Sequence, residues 1–227
     1  MQNMHNRVLR NLKIRTGVGL VILLVLAGCA TDGKIKPEKV SKESSLDKGF
    51  SVTQLEDSRK GFIITEIPQM DETSRKDFER AVSMLKDEDY GQAIDLLEKV
   101  IEKSPGVTAP YIDIAIAYQH IDKPEQAEEN LKAALQLVPD HPVASNEYGL
   151  LCRKTGRFDD ARAIYEKAIA SFPGYYPVHR NLGILCDLYL NDPVCALEHY
   201  EIYSEAKPKD KLVKLWIADL RTRLGRN

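Results

Sequence analysis

The side chains that most often carry chemistry are sparse and unpatterned in this 227-residue chain. No histidine lies in an HExxH pattern, and the chain has no P-loop, no nucleophile-elbow serine and no glycine-rich turn after a strand. Carboxylates are plentiful, but they are scattered along helical faces, where a solvated surface is their ordinary role. We therefore predict no catalytic residue, no enzyme activity and no cofactor.

Three cysteines, Cys152, Cys186 and Cys195, lie beyond residue 30. The last two flank a predicted turn, so a disulfide between them is possible; the alternative is that all three are small buried thiols. Cys195 and His199 have the i, i+4 spacing of two metal ligands on one helix, and Cys186 would be a third ligand. No fourth ligand is evident, so we predict no metal site.

The formal net charge of −2 conceals an asymmetry between the start of the chain and the rest. Residues 1–28 hold four basic residues and no acidic one, which leaves a net charge of −6 for the remainder. Nucleic-acid binding needs lysines and arginines aligned on phosphates, and the chain has no long basic stripe. We predict no nucleic-acid partner.

The first 28 residues have the layout of a bacterial export signal. Arg7 to Arg15 form a positive region, and Val18 to Leu26 form an apolar run too short to span a bilayer comfortably. The run ends in Leu26-Ala27-Gly28-Cys29, which resembles the lipobox of bacterial lipoproteins. The resemblance implies cleavage before Cys29, a diacylglyceryl thioether on its sulfur and acylation of the new N-terminus. An uncleaved signal anchor or a buried N-terminal helix is the alternative.

Ala30, rather than an aspartate, follows this cysteine. In the enterobacterial sorting rule, that residue implies the outer membrane. Three acyl chains exceed the two signals that stable anchoring requires. We therefore expect a palmitate-bearing protein that faces the periplasm, with no membrane-spanning segment in the mature chain.

A period of 34 residues runs through the middle of the chain. Pro105, Pro139 and Pro173 are 34 residues apart, and Pro208 follows 35 later. If the units start at residues 74, 108, 142 and 176, and the last one holds one extra residue between its helices, position 8 is always Ala or Gly, position 20 is always Ala, and position 24 is always Leu or Tyr. Small residues thus fall where two helices approach, and large ones where a hole is filled, as in stacked helix–turn–helix units.

This pattern resembles the tetratricopeptide repeat family over about 60% of the chain. The resemblance implies an all-α fold, an α-solenoid of four tetratricopeptide helix–turn–helix repeats with a C-terminal capping helix. We assign the repeats to residues 74–208, as units 74–107, 108–141, 142–175 and, with the two residues before the cap, 176–210. One extra residue near Asn191 is expected to displace the second helix of the last unit.

The segments outside the repeats are predicted from composition. Residues 29–60 carry the modified cysteine and a tether rich in Lys, Glu, Ser and Asp, which favours a flexible linker. Residues 61–73 begin with a β-prone run, for which an all-helical array offers no sheet partner. We expect this segment to lie on the outer face of the first repeat; a strand that docks a partner is the alternative. Thr73 and Ser74 are the predicted N-caps of the first helix.

Residues 211–227 are predicted to form the capping helix. One face of this helix is basic, and the other is an apolar stripe that would cover the open end of the array. The stripe consists of Leu212, Leu215, Trp216, Leu220 and Leu224.

The first helices of such repeats line a concave surface, into which positions 2, 5, 9, 12 and 13 of each unit point. The resemblance implies a peptide-binding groove formed by Ile112, Ile116, Gln119, His120, Asn146, Leu150, Arg153, Lys154, Arg180, Ile184 and Asp187. Asparagine pairs with peptide groups and arginine forks a carboxylate, which suits an extended or helical peptide. Asn146 and Arg180 share position 5 in neighbouring units, so we expect them side by side. An ordinary solvated inner face is the alternative.

Together these features predict an outer-membrane-anchored periplasmic scaffold that binds envelope proteins or peptides. Bacterial lipoproteins of this layout resemble pilotins and assembly factors of pili and secretion systems. Others resemble adaptors for envelope enzymes or for Ton-type energy-transducing complexes. An enzyme with no recognisable motif and a structural lipoprotein without a peptide partner are the remaining alternatives.

Overall fold

The computed structural model describes residues 50–55, 61–66 and 70–226. Two strands come first, β1 (Phe50–Leu55) and β2 (Gly61–Glu66). Nine helices follow in the described residues: α1 (Glu72–Lys86), α2 (Tyr90–Lys103), α3 (Thr108–His120), α4 (Pro124–Leu137), α5 (Pro142–Lys154), α6 (Phe158–Ser171), α7 (Tyr176–Leu188), α8 (Pro193–Ala206) and α9 (Lys211–Arg223). None of them combines the length and the apolar character that crossing a bilayer requires.

The helices pair as the 34-residue period predicts. Repeats 1 to 4 consist of α1–α2, α3–α4, α5–α6 and α7–α8, and α9 packs on α8 at the end of the array. The prediction of an all-α solenoid of four helix–turn–helix repeats with a C-terminal capping helix is confirmed.

Matched side-chain sizes fix the close approach of the two helices in each repeat. In repeat 3, a Cβ added to Gly149 would lie 2.3 Å from the ring of Tyr165, and in repeat 4 one added to Gly183 would lie 2.5 Å from the ring of Tyr200. Repeats 1 and 2 have alanine and leucine at the same two positions, and all of these residues are buried. A larger residue at position 24 is therefore accommodated by a smaller one at position 8 of the same repeat.

A residue with positive φ lies in the turn between the two helices of every repeat, two residues before the second helix begins. These residues are Glu88 (φ 64), Asp122 (φ 57), Gly156 (φ 79) and Asn191 (φ 50). The longer turn of repeat 4 is closed by the amide of Asp192, which donates to the carbonyl of Cys186 at 2.9 Å. Since Ala196 and Tyr200 of α8 are buried like their counterparts, the turn absorbs the extra residue, and the expected displacement of α8 is wrong.

The first helix begins earlier than predicted. Asp71 is its N-cap, and the carboxylate of Asp71 accepts from the amide of Ser74 at 2.8 Å and from the hydroxyl of Ser74 at 2.9 Å. Ser74 is fully buried, so it lies inside the first turn and does not cap it. Aspartate caps a helix as well as serine or threonine does. Residue type alone therefore could not show that Asp71, two residues before Thr73, would be the N-cap.

The β-prone run has a partner strand that composition did not predict. β1 and β2 pair antiparallel, in a register that places Phe50 opposite Glu66 and Leu55 opposite Gly61. β1 lies within the segment that we expected to be a flexible tether. A two-stranded hairpin is marginal in water by itself, so its order depends on further contacts.

Glu66 attaches this hairpin to the solenoid. Its carboxylate accepts from the amide of Thr108 at 2.8 Å and from the hydroxyl of Thr108, and it lies 3.3 Å from Nε2 of His141. Val107, the N-cap of α3, offers no side-chain acceptor, so Glu66 takes over the capping of that helix from 42 residues away. These contacts are with repeat 2 and with the start of α5, whereas we expected the outer face of repeat 1.

The capping helix buries only part of the predicted stripe: Leu220 is buried and Trp216 and Leu224 pack on the core. Val213, Ile217 and Leu220 are buried, while Leu212 is 37% exposed and Leu215 is 66% exposed. The sequence holds two overlapping apolar sets, and the set at 213, 217, 220 and 224 forms the more continuous helical stripe. Leu212 and Leu215 therefore do not belong to the buried stripe.

Candidate functional site

The predicted groove residues lie on α3, α5 and α7, the first helices of repeats 2 to 4, which contact one another in succession. Most of them are half-buried or exposed at this surface: Ile116, Gln119, His120, Leu150, Arg153, Lys154, Arg180 and Asp187. The other three, Ile112, Asn146 and Ile184, are buried.

Ile112 and Ile184 belong to the core and offer almost no surface. Each is 4% exposed, and Ile112 packs with Ala134 and Ala144 at the junction of repeats 2 and 3. The repeat frame identified the correct helix face, but it did not distinguish the side chains that the next repeat covers.

Asn146 links two repeats. Its amide donates to Glu147 at 3.1 Å, and its carbonyl oxygen accepts from the amide of Asn181 at 2.9 Å. Asn146 is 5% exposed, so these groups are already satisfied and are not available to a peptide. The neighbour of Asn146 on α7 is Asn181 and not Arg180, which corrects the expected side-by-side pair.

Acidic residues mark the half of the surface formed by repeats 2 and 3. Burial and the nearby Glu147 carboxylate raise the pKa of Asp113 to about 7. Burial also raises the pKa of Glu147 above its ordinary value, although Asn146 and Lys154 oppose the shift. Lys154 donates to Oε1 of Gln119 at 3.1 Å, and burial lowers its pKa. This half therefore carries two closely spaced carboxyl groups, of which Asp113 is partly protonated at neutral pH, beside one lysine.

Arginine and aromatic side chains mark the half formed by repeats 3 and 4. The guanidinium of Arg153 lies 5.7 Å from the ring centre of Tyr189. The guanidinium of Arg180 lies 6.0 Å from the ring of Tyr203 and 5.6 Å from that of Trp216. Such contacts stabilise a cation without neutralising it.

Two other predicted groove residues are engaged by neighbouring elements. His120 stacks on Tyr90 of repeat 1, with ring centres 4.7 Å apart and planes 10° from parallel. Burial, and then Lys154, lowers the pKa of His120. Asp187 accepts from the guanidinium of Arg223 on α9 at 2.5 Å. His120 therefore joins repeat 2 to repeat 1, and Asp187 joins repeat 4 to the capping helix.

The structure joins Cys186 and Cys195 in a disulfide, and Cys152 is a buried free thiol. Of the described residues, Cys186, Asp192 and Cys195 lie close enough to share a metal ion, but the two sulfurs are bonded to each other. His199 approaches His179 instead, with 3.0 Å between their Nδ1 atoms. Because Nε2 of His179 lies 3.0 Å from the carbonyl of Pro173 and donates to it, His179 receives the proton of His199 at Nδ1.

Several residues of this surface were not predicted from the sequence. Asp113, Glu147 and Asn181 all occupy position 6 of their units, next to a position that we did consider. A polar residue at the same position of three successive repeats was an available signal. No such signal existed for Tyr189 and Trp216, because their contacts with arginine depend on how the last turn and α9 fold back.

Known proteins share this fold. Residues 112–176 match the tetratricopeptide repeat family. SPINDLY of Petunia hybrida, a probable UDP-N-acetylglucosamine–peptide N-acetylglucosaminyltransferase, is 28% identical over 96 residues, which are 42% of this chain and 10% of that protein. This chain thus spans about a tenth of that relative.

Two solved structures extend the likeness to the helical body. PilF of Pseudomonas aeruginosa has a TM-score of 0.62 at 23% identity, covering 67% of this chain and 69% of that one. PilW, a widely conserved type IV pilus biogenesis factor, has a TM-score of 0.61 at 24% identity, covering 69% and 72%. The 34-residue period, the helix pairing and these matches show that the helical body of this chain has the fold of a tetratricopeptide repeat solenoid.

Proposed function

We propose that this protein is a lipid-anchored scaffold of the bacterial outer membrane. It binds protein or peptide partners in the periplasm during assembly of an envelope machine such as a pilus or a secretion system. The surface on α3, α5 and α7 is the binding site. The anchor is Cys29, which, like the predicted signal peptide, lies outside the described residues.

The observation that carries this proposal is the unequal pairing of charged groups on the concave surface. Asp113 has no ion-pair or hydrogen-bond partner among the residues that the structure describes, and neither Arg153 nor Arg180 has a carboxylate partner there. Nε2 of Gln119 is buried without a hydrogen-bond partner in the same part of the chain. Buried polar groups are normally satisfied, so such a concentration favours a surface that a partner completes.

The resemblance in fold to PilW, a type IV pilus biogenesis factor, supports the choice of a pilus as the machine. The lipobox-like residues at Cys29 support a location in the envelope. A rigid array also suits this task, because a preformed surface binds a flexible segment without the cost of ordering both partners.

Photo-crosslinking in living cells tests the proposal. A photoreactive phenylalanine is placed at Leu150, which is half-buried on the first helix of repeat 3, and separately at Ala163, which is exposed on the second helix of the same repeat. We expect an envelope protein to be captured through residue 150 and not through residue 163. Capture through neither residue, or equal capture through both, would contradict a partner on the concave surface.

A further inference from the structure

The segment that contains α9 differs in charge from the repeats that precede it. Residues 207–227 hold seven basic and two acidic residues, whereas residues 29–206 hold 21 basic and 32 acidic ones. An acidic solenoid thus carries a strongly basic segment at one end of its array. A local charge of this kind attracts an anionic partner over the range of electrostatic screening, which is about 10 Å at 0.1 M salt.

The positive charge of this segment is not neutralised from within the described part of the chain. All seven basic side chains are exposed, and two of them, Arg221 and Arg223, pair with carboxylates. The two acidic residues are engaged, since Asp219 pairs with Arg223 and Asp210 accepts from amides at the start of α9. Four of the basic residues have no ion-pair partner among the described residues: Lys209, Lys211, Lys214 and Arg226.

Two leucines lie among these lysines on the outer side of α9. Leu215 is the most exposed large apolar side chain that the structure describes, and Leu212 is exposed as well. Lys211 and Leu215 are one helical turn apart and share a face, whereas Val213 and Ile217 are buried on the opposite side. The end of the array therefore presents apolar surface bordered by positive charge.

An anionic phospholipid surface matches this combination. Protein segments that lie on such a surface combine basic residues, which meet the phosphates, with leucines or aromatic residues, which enter the boundary of the acyl chains. Lysine suits this contact because its stem follows apolar surface while its ammonium, a point charge, needs no fixed geometry. A protein carboxylate is better held by the fork of an arginine, but Arg221 and Arg223 already hold carboxylates of this chain. These observations favour lipid over an acidic protein segment.

We propose that α9 is a membrane-docking helix, which binds an anionic phospholipid surface through Lys209, Lys211, Lys214 and Leu215. This contact rests on the proposed function only for a location beside a membrane, and it does not involve the concave surface. A lipid on Cys29 keeps the chain at a membrane but does not orient the repeats. Docking of α9 orients them, because it turns the repeat 4 end of the array toward the membrane.

Lysine labelling of the full chain on vesicles tests the contact. The purified protein is mixed with vesicles of phosphatidylcholine, either pure or with about 30% phosphatidylglycerol, and treated with an amine-reactive reagent before mass spectrometry. We expect labelling of Lys211 and Lys214 to fall about fivefold or more on the anionic vesicles relative to the neutral ones. Lys76 and Lys99, which are exposed on repeat 1, should keep their labelling and serve as internal controls.

Salt should reverse the protection. Raising its concentration from about 0.1 M to about 1 M shortens the screening length from about 10 Å to about 3 Å. Labelling of Lys211 and Lys214 on the anionic vesicles should therefore return toward its level on the neutral ones.

Variants are compared through Trp216, the single tryptophan of the chain, which lies on α9 and is quenched by a bromine-labelled lipid when the helix docks. Each lysine near an anionic surface strengthens binding about fivefold, so the change of three lysines of α9 and its preceding turn to glutamine should weaken docking about a hundredfold. Leu215→Ser should weaken docking about tenfold, because it removes the apolar part of the contact. The triple variant is Lys209→Gln/Lys211→Gln/Lys214→Gln, and its matched control, with the same charge change at exposed positions of repeat 1, is Lys76→Gln/Lys86→Gln/Lys99→Gln.

The outcomes separate this inference from the proposed function. Equal labelling of Lys211 and Lys214 on both kinds of vesicle, or unchanged quenching in the triple variant of α9, would refute membrane docking. Protection of the same lysines in intact cells but on neither kind of vesicle would assign α9 to an acidic protein and would also overturn the proposal. Flotation with the neutral vesicles reports the lipid anchor separately, and capture through residue 150 reports the partner surface. Failure of either of these contradicts the proposed function and leaves the result for α9 unchanged.

Discussion

Replacing Glu66 by alanine should detach the hairpin from the solenoid and lower the free energy of unfolding by about 2–4 kcal/mol. The substitution removes the acceptor for the amide and the hydroxyl of Thr108, which is fully buried, and it removes one of the partners of His141. Hydrogen bonds to a charged group contribute roughly 1.5–3 kcal/mol each, and a buried donor left unsatisfied costs a comparable amount. Water reaches the site in part, because the Glu66 side chain is 13% exposed, and this keeps the loss below the sum of three contacts.

Urea denaturation followed by helical circular dichroism measures this loss, and hydrogen exchange of residues 61–66 reports the release of β2. Glu66→Gln should cost less, about 1–2 kcal/mol, since its amide oxygen still accepts from the Thr108 amide. Glu72→Ala is the matched control, because the Glu72–Lys76 pair is about 70% exposed on both sides and should change stability by less than about 0.5 kcal/mol. If Glu66→Ala unfolded at the wild-type urea concentration with unchanged exchange in β2, the attachment described above would be refuted.

The same contacts give the hairpin a defined pH dependence. Burial raises the pKa of Glu66, but hydrogen bonds from His141 and Thr108 outweigh it and hold the pKa below its ordinary value of 4.5. A carboxyl group whose pKa is lowered by folding stabilises the folded state above the unfolded pKa. This stabilisation is lost as the pH falls through the folded pKa. Protection of β2 against exchange should therefore be constant at neutral pH and decline below about pH 4.5, and Glu66→Gln should abolish the decline.

Three further predictions concern the repeat frame and the anchor. Ala127→Leu should overpack the contact between α3 and α4 and cost about 1–3 kcal/mol in urea denaturation, whereas the exposed Glu129→Leu should cost less than about 0.5 kcal/mol; equal costs would refute the frame. Gly149→Ala should destabilise by about 1–3 kcal/mol through its clash with Tyr165, and adding Tyr165→Leu, the pairing found in repeats 1 and 2, should recover most of that; purely additive losses would contradict the size matching. Cys29→Ala should leave an uncleaved precursor without palmitate labelling, and unchanged labelling would remove the proposed lipid anchor.

The repeat architecture could be predicted because its pattern involves residues close together in the sequence and occurs four times. Prolines and small residues at a fixed period report the helix ends and the close contacts directly, without knowledge of distant parts of the chain. The disulfide could be foreseen as an option for the same reason, since Cys186 and Cys195 flank one turn. Whether those two residues would bond or remain thiols depends on side-chain directions that spacing alone does not give.

The parts that were missed depend on contacts between distant residues. Glu66 and Thr108 are 42 residues apart, and nothing in either neighbourhood marks the other as a partner. The sequence placed Asn146 on the correct helix face. The amide of Asn181, 35 residues away, donates to Asn146 and joins two repeats, so Asn146 has no free polar group for a ligand. In α9, neighbouring apolar residues allow two stripes, and only packing on α8 selects the one that buries Val213 and exposes Leu215.

The size matching of positions 8 and 24 has a consequence for the duplication and exchange of repeats. Gly149 meets Tyr165, and Gly183 meets Tyr200, in both cases inside a single repeat. Each repeat therefore contains both halves of its own tightest contact, so a duplicated or exchanged copy arrives with that contact intact. A larger side chain at one of these two positions therefore calls for a smaller one at the other position of the same repeat. Repeats 1 and 2 hold the Ala–Leu pair and repeats 3 and 4 hold the Gly–Tyr pair, so each of the four units carries a matched pair of its own.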